Sequence, residues 1–134
     1  TLSVSLHAPD DATRTRLMPS NLDCGVAALM SSCRRYFEKT GRRVSFEYAL
    51  IDGENDSEEH ARALAELLRG VPHAHLNLIL LNDVKERPLR PSPKERTDAF
   101  TKILDAGNVN YTFRRRLGLD IDAACGQLRR TRGE

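Results

Sequence analysis

The run DIDAACGQL, residues 120–128, sets one cysteine, Cys125, after two alanines and before a Gly-Gln pair, a few residues beyond three arginines at 114–116. A thiol in that company has two fates. Inside a Gly-containing turn it is a small hydrophobe; deprotonated and accessible, it is a nucleophile. At an ordinary pKa of about 8.5 only a few per cent of a free thiol is ionised at pH 7. Neighbouring arginines raise that fraction, and Asp120 and Asp122 lower it when close. Other groups with chemical capacity stand where apolar segments end: Ser5 and His7, Asn82, and the acidic stretch DGEND at 52–56. Each also has a plain reading, as a satisfied polar residue, a turn former or a loop. DGEND lacks the spacing of an EF-hand loop and is read as a loop. Cys24 and Cys33 form no zinc or cluster signature with His7, His60, His73 and His75, and are assigned to structure. The arginines at 114–116, with Arg129, Arg130 and Arg132, read as a solvated face that also suits phosphate contacts, with few aromatics interleaved for base stacking.

Strands and helices in alternation must position these groups. Leu2, Val4 and Leu6 alternate with Ser3, Ser5 and His7, as in a strand with one polar face, and Pro9 ends it. Val26, Leu29, Met30, Cys33, Tyr36 and Phe37 fall at helical spacing and Gly41 marks the stop. VSFEYALI (44–51) is the second strand. A helix follows from Asp56, with Glu59 as its reciprocal cap, a stripe of Ala61, Leu64, Ala65 and Leu68, and Gly70 at its close. HLNLILL (75–81) is the third strand. In SPKE, Ser92 reads as a cap, Pro93 as the first helical residue and Glu95 as the group reaching back, ahead of Phe100, Ile103, Leu104 and a terminal Gly107. VNYTFRR (109–115) is the fourth strand. The order β-α-β-α-β-α-β predicts an α/β fold with a parallel sheet, either a small open sheet or part of a barrel. Chemistry in such folds collects at the carboxyl ends of the strands. That rule selects His7, the 52–56 loop, Asn82 and the segment around Cys125. Ser5 and His7 are expected on one face of the first strand, with Ser45 and Glu47 on the polar side of the second.

The totals agree with a single domain. The chain has 134 residues, 40% hydrophobic and 30% charged, with a formal charge of +2. An ordinary globular composition excludes disorder, and no apolar run approaches the ~20 residues of a membrane span. Three cysteines, an odd count, argue against a disulfide framework and for a reducing, cytoplasmic setting. The chain opens on TLSVSLHAP, inside a strand and without methionine, and reads as a piece of a longer protein.

SLHAP at 5–9, FEYALIDGENDSEEHA at 46–61, NLILLN at 77–82 and DIDAACGQL at 120–128 occur in one order. Together they resemble the carboxyl-terminal part of the radical S-adenosylmethionine enzymes that methylate carbon 2 of an adenine in 23S ribosomal RNA and in transfer RNA. The resemblance covers essentially the whole chain and implies the carboxyl-terminal part of a radical-SAM partial (β/α) barrel, residues 1–134, with the methyl-carrying segment at 120–128. It implies that Cys125 carries a methyl group as an intermediate. It also implies that Ser5, Leu6 and His7 line the S-adenosylmethionine site and that Asn82 contacts the same ligand. A first S-adenosylmethionine would methylate the thiolate. A second, cleaved by an electron from a 4Fe-4S cluster, would give a radical that takes hydrogen from the S-methyl group, and the sulfur-bound carbon radical would add to the base. Ala123, Ala124 and Gly126 leave room for that approach, and the base must leave its stack. The implied partners are 23S rRNA, tRNA and an electron donor, with no membrane.

Against that pattern, the family's CxxxCxxC cluster motif, its second catalytic cysteine and its amino-terminal RNA-binding domain are absent from these 134 residues. Taken alone, the chain is expected to be inactive and, with open sheet edges, poorly stable or associating. Leu80 replaces a common proline, and RLGLDIDAACG at 116–126 differs from the usual TRGDDIDAACG. Two other readings stand beside the first: a related enzyme that methylates carbon 8 of the ribosomal adenine and confers antibiotic resistance, and a non-catalytic remnant that binds RNA or S-adenosylmethionine.

Overall fold

The computed structural model describes residues 2–18, 25–81 and 90–115. Four strands, β1 (Leu2–Ser5), β2 (Val44–Leu50), β3 (His75–Leu80) and β4 (Tyr111–Arg115), form one sheet in the order β1-β2-β3-β4, every pair parallel. The connections carry α1 (Asp11–Leu17), α2 (Val26–Thr40), α3 (Glu58–Leu68) and α4 (Lys94–Ala106).

Helices α2, α3 and α4 cover the same face of the sheet. Val26, Met30 and Cys33 of α2, the predicted stripe of α3, and Phe100 and Leu104 of α4 share one core with Val44, Phe46, Tyr48 and Leu50 of β2 and Leu76 and Leu78 of β3. The strand registers place Ser5, Glu47, Asn77 and Thr112 in one row on the opposite face, with Ser3, Ser45 and His75 in the row before it. An open doubly wound sheet carries helices on both faces. Helices on one face and polar rows on the other make the wall of a barrel. A small second apolar cluster, Ala49, Ile51, Ile79 and Leu81 with Leu17 of α1, sits at the carboxyl end of that polar face.

Local chemistry explains where the elements begin and end. Gly41 closes α2 in the left-handed region, its N–H on the Phe37 carbonyl at 2.7 Å. Gly25, with no side chain, starts that helix, and Asp11 caps it from α1 by accepting the Val26 N–H at 2.8 Å. Helix α1 is an addition to the predicted order. Asp10 caps it by accepting the Thr13 N–H at 2.7 Å, but its buried residues are Thr13 and Arg14, so it shows no apolar period.

Two caps differ from expectation. Helix α3 is capped by Ser57, whose hydroxyl accepts from the His60 N–H while His60 closes the box, rather than by Asp56 with Glu59. The N-cap of α4 is Pro93, and the Ser92 hydroxyl donates instead to Asp56 at 2.7 Å. The expected strand ends also shorten: β1 stops at Ser5, and β4 begins at Tyr111.

Candidate functional site

The carboxyl end of β1 is where the backbone demands most. In β2 the odd-numbered residues turn their N–H and C=O toward β1, and the Glu47 carbonyl accepts from the Leu6 and His7 N–H groups at 2.9 and 3.2 Å. Ser5 is the last residue in register, opposite Glu47. The chain then swings away through His7, whose φ of +57° lies in the left-handed region that costs a non-glycine residue energy. Beyond that point β2 keeps β3 on one side but, among the described residues, has no strand on the β1 side, and buried backbone groups left unpaired there would be costly.

Two side chains take the strand's place. His7 Nδ1 accepts the Ala49 N–H at 2.9 Å. The Asn55 amide donates to the Ala49 and His7 carbonyls, both at 2.7 Å, and its Oδ1 accepts the Ile51 N–H at 2.9 Å. Asn55 is fully buried, and the Tyr48 hydroxyl donates to its carbonyl at 2.6 Å. Burial, with Asp10 and Asp56 nearby, pushes the Tyr48 phenol well above its usual range, which keeps that proton in place. From the other side the buried Arg14 donates to the Leu6 carbonyl at 3.1 Å and to the Ser5 carbonyl at 2.9 Å.

This arrangement defines what His7 can offer. Burial first, and the Arg14 charge second, lower its pKa to about 4, so the ring is neutral at physiological pH. With Nδ1 accepting from the backbone, the ring proton belongs to Nε2. His7 is therefore an uncharged N–H donor of fixed orientation. Beside it the Ser5 side chain is exposed. The Leu6 side chain, by contrast, is fully buried in the helix-side core, and its N–H and C=O are already bonded within the chain. His7 does not share a strand face with Ser5 as expected; it lies past the strand end, at the turn.

The acidic loop after β2 is a structural joint. Asp56 accepts from Ser92, from the Gly53 N–H at 3.1 Å and from Arg96 at 3.1 Å, and Arg96 also meets Asp52. The two carboxylates raise the Arg96 pKa. The Asp52 N–H donates to the Arg90 carbonyl at 2.9 Å and Ile51 bridges Pro91, so the chain leading into α4 is stitched to the end of β2. On the polar sheet face, Thr112 donates to the Asn77 Oδ1 at 2.9 Å and lies 3.1 Å from His75 Nε2. Burial is the main cause that lowers the His75 pKa.

Ser5, His7 and the 52–56 loop thus meet at one end of the sheet. Asn82 and Cys125 lie outside the described residues, as does Cys24; Cys33 is buried on α2. Among the described residues no group of three or more potential ligands could hold a metal ion, and no helix is long and apolar enough to cross a membrane. Sequence reasoning missed Asn55 and Arg14. Asn55 was visible only as turn chemistry, and Arg14 only as a charge in an unrecognised helix.

No family model matches the chain. It is 53% identical over 129 residues to a probable dual-specificity RNA methyltransferase RlmN of Caldanaerobacter subterraneus subsp. tengcongensis, across 96% of this chain and 37% of that protein. With the protein of the same description from Desulforamulus reducens it shares 50% over 130 residues, 97% of this chain and 37% of the relative. Among solved structures, a radical SAM methyltransferase from Sphaerobacter thermophilus matches with a TM-score of 0.82 at 50% identity, covering 96% of this chain and 38% of that one. A domain of pyruvate-formate lyase-activating enzyme from Bacteroides vulgatus shares the fold alone, with a TM-score of 0.63 at 19% identity, covering 84% of this chain and 66% of that one. The chain spans little more than a third of the length of the curated relatives it matches.

Proposed function

We propose that this chain, homologous over nearly its whole length to dual-specificity RNA methyltransferases, forms the part of such an enzyme that holds S-adenosylmethionine and carries the transferred carbon on Cys125. The whole protein then methylates carbon 2 of an adenine in 23S rRNA and tRNA, in the cytoplasm. One observation carries the reading: about half of all residues match those enzymes across a chain whose sheet brings Ser5 and a rigid His7 donor to the carboxyl end of a barrel wall.

When bound, S-adenosylmethionine supplies an electrophilic methyl group and, on one-electron cleavage, a hydrogen-abstracting radical. The residues present suit such a ligand, which is rich in hydrogen-bond acceptors. His7 offers its Nε2–H without a charge that would repel the sulfonium, and Ser5 adds an exposed hydroxyl. Asn82 supplies an amide to the same ligand. Cys125, as the thiolate, takes the methyl on sulfur and later presents that carbon to the base. Arginines at 114–116 and beyond provide phosphate contacts for the RNA. The cysteines of this chain do not fit a 4Fe-4S cluster: three in all, they form no CxxxCxxC motif, and Cys33 is sealed in the core. No step of this chain runs through that group.

The test is the mass of the tryptic peptide 117–129 from the purified whole protein. The expected peptide is one methyl group heavier, with the addition on Cys125. An unmodified cysteine after incubation with S-adenosylmethionine would favour a remnant that binds without chemistry.

A further inference from the structure

We propose that Asn55 is a positioning residue for the S-adenosylmethionine site, acting through His7: its amide holds the His7 carbonyl and completes the β2 edge, so that the imidazole presents Nε2–H in one orientation. The inference rests on the reading that Ser5 and His7 meet that ligand.

The geometry is closed on every side. Where β1 leaves, three backbone groups at the end of β2 and just past it need partners: the Ala49 N–H, the Ala49 C=O and the Ile51 N–H. His7 takes the first and Asn55 the other two. The second amide hydrogen of Asn55 goes to the His7 carbonyl. Both Asn55 N–H donors are thereby used, one on each side of the break between β1 and β2. The His7 backbone sits at φ +57°, a conformation that persists only where surrounding bonds over-determine it. Among the hydrogen bonds described, the one holding the His7 carbonyl comes from Asn55. Remove that amide and the His7 carbonyl loses its bond, leaving the turn held by the His7 N–H on the Glu47 carbonyl and the Ala8 N–H on the Leu6 carbonyl, so the ring is less firmly kept on the Ala49 N–H. Nδ1 and Nε2 then compete for the proton, and the site loses its fixed donor. Arg14 supports the start of this turn, since the Leu6 carbonyl it holds also accepts the Ala8 N–H at 2.8 Å across His7; Asn55 holds the turn at the His7 carbonyl itself.

A double-mutant cycle on S-adenosylmethionine binding to the holoenzyme separates a positioning role from general damage. His7→Ala is expected to weaken binding roughly tenfold, the worth of one neutral hydrogen bond at the upper end of its range. Asn55→Ala should weaken it by a similar factor, and the double variant by no more than His7→Ala alone, because residues acting through one contact are not additive. In the wild-type protein, ¹⁵N spectra of labelled histidine should show His7 as the Nε2–H tautomer, and Asn55→Ala should give a mixed population. If Asn55→Ala does not fold, Asn55→Ser keeps a small polar group there and enters the same cycle. Additive losses, or an unchanged tautomer, would overturn the positioning role while leaving the site in place. A His7→Ala protein that binds as well as wild type would instead overturn the reading of the site itself.

Discussion

Replacing Cys125 with alanine in the whole protein is expected to abolish RNA methylation, a loss on the order of 10³-fold or more, while S-adenosylmethionine binding stays within about twofold. The asymmetry follows from the chemistry proposed for the sulfur. Carbon 2 of adenine is electron-poor and carries no nucleophilic pair, so a methyl cation equivalent cannot be delivered to it directly. The carbon must first be placed on an atom that takes it by displacement and then stabilises an adjacent carbon radical, which adds to the base while still bound to sulfur. Sulfur does both, and a methyl side chain does neither. A cysteine with only a packing role would behave differently. Its loss would remove a small buried volume, lower stability by about 1 kcal/mol and leave turnover nearly intact. Turnover and binding, measured on the same preparation, separate the two.

Phe100→Ala is expected to lower the unfolding free energy by about 3–5 kcal/mol, a large share of the ~5–15 kcal/mol that folded domains hold. Phe100 is fully buried on α4, and its ring lies 5.6 Å from that of Tyr48, tilted by 43°. It joins α4 to β2 beneath the residue whose hydroxyl holds Asn55, so the cavity would open directly under the joint that supports His7. Urea unfolding of the whole protein measures the loss. Arg62→Ala supplies the contrast: that side chain pairs with Glu58 at 3.3 Å on the exposed surface of α3, and its removal should change stability by no more than about 0.5 kcal/mol.

The contrast between those two positions also marks what the amino-acid order discloses. Periodic apolar residues reveal α2, α3 and the four strands, because a stripe such as Ala61, Leu64, Ala65 and Leu68 has one physical use, burial against a sheet. Helix α1 has no such stripe; it buries a threonine and an arginine through hydrogen bonds, which leave no period to read. The caps of α3 and α4 differ from those expected for a related reason. Asp56 looks like a cap locally, yet it is drawn to Ser92 and Arg96, 36 and 40 residues away. His60, at the third helical position, closes the box in place of the usual glutamate. The site divides in the same way. That His7 stands at a strand's carboxyl end is legible from alternation and from Pro9. That it offers only Nε2–H depends on Ala49 and Asn55, 42 and 48 residues distant, which no local spacing encodes.

The most direct measurement is the position of the methyl group on RNA from cells with and without the gene for the whole protein. Digestion to nucleosides, followed by mass spectrometry against synthetic standards, distinguishes carbon 2 from carbon 8. The expected result is 2-methyladenosine in both 23S rRNA and tRNA, lost on deletion and restored by the wild-type gene. Methyl at carbon 8 of the ribosomal adenine, or no change in methylated adenosine in either RNA, would contradict it.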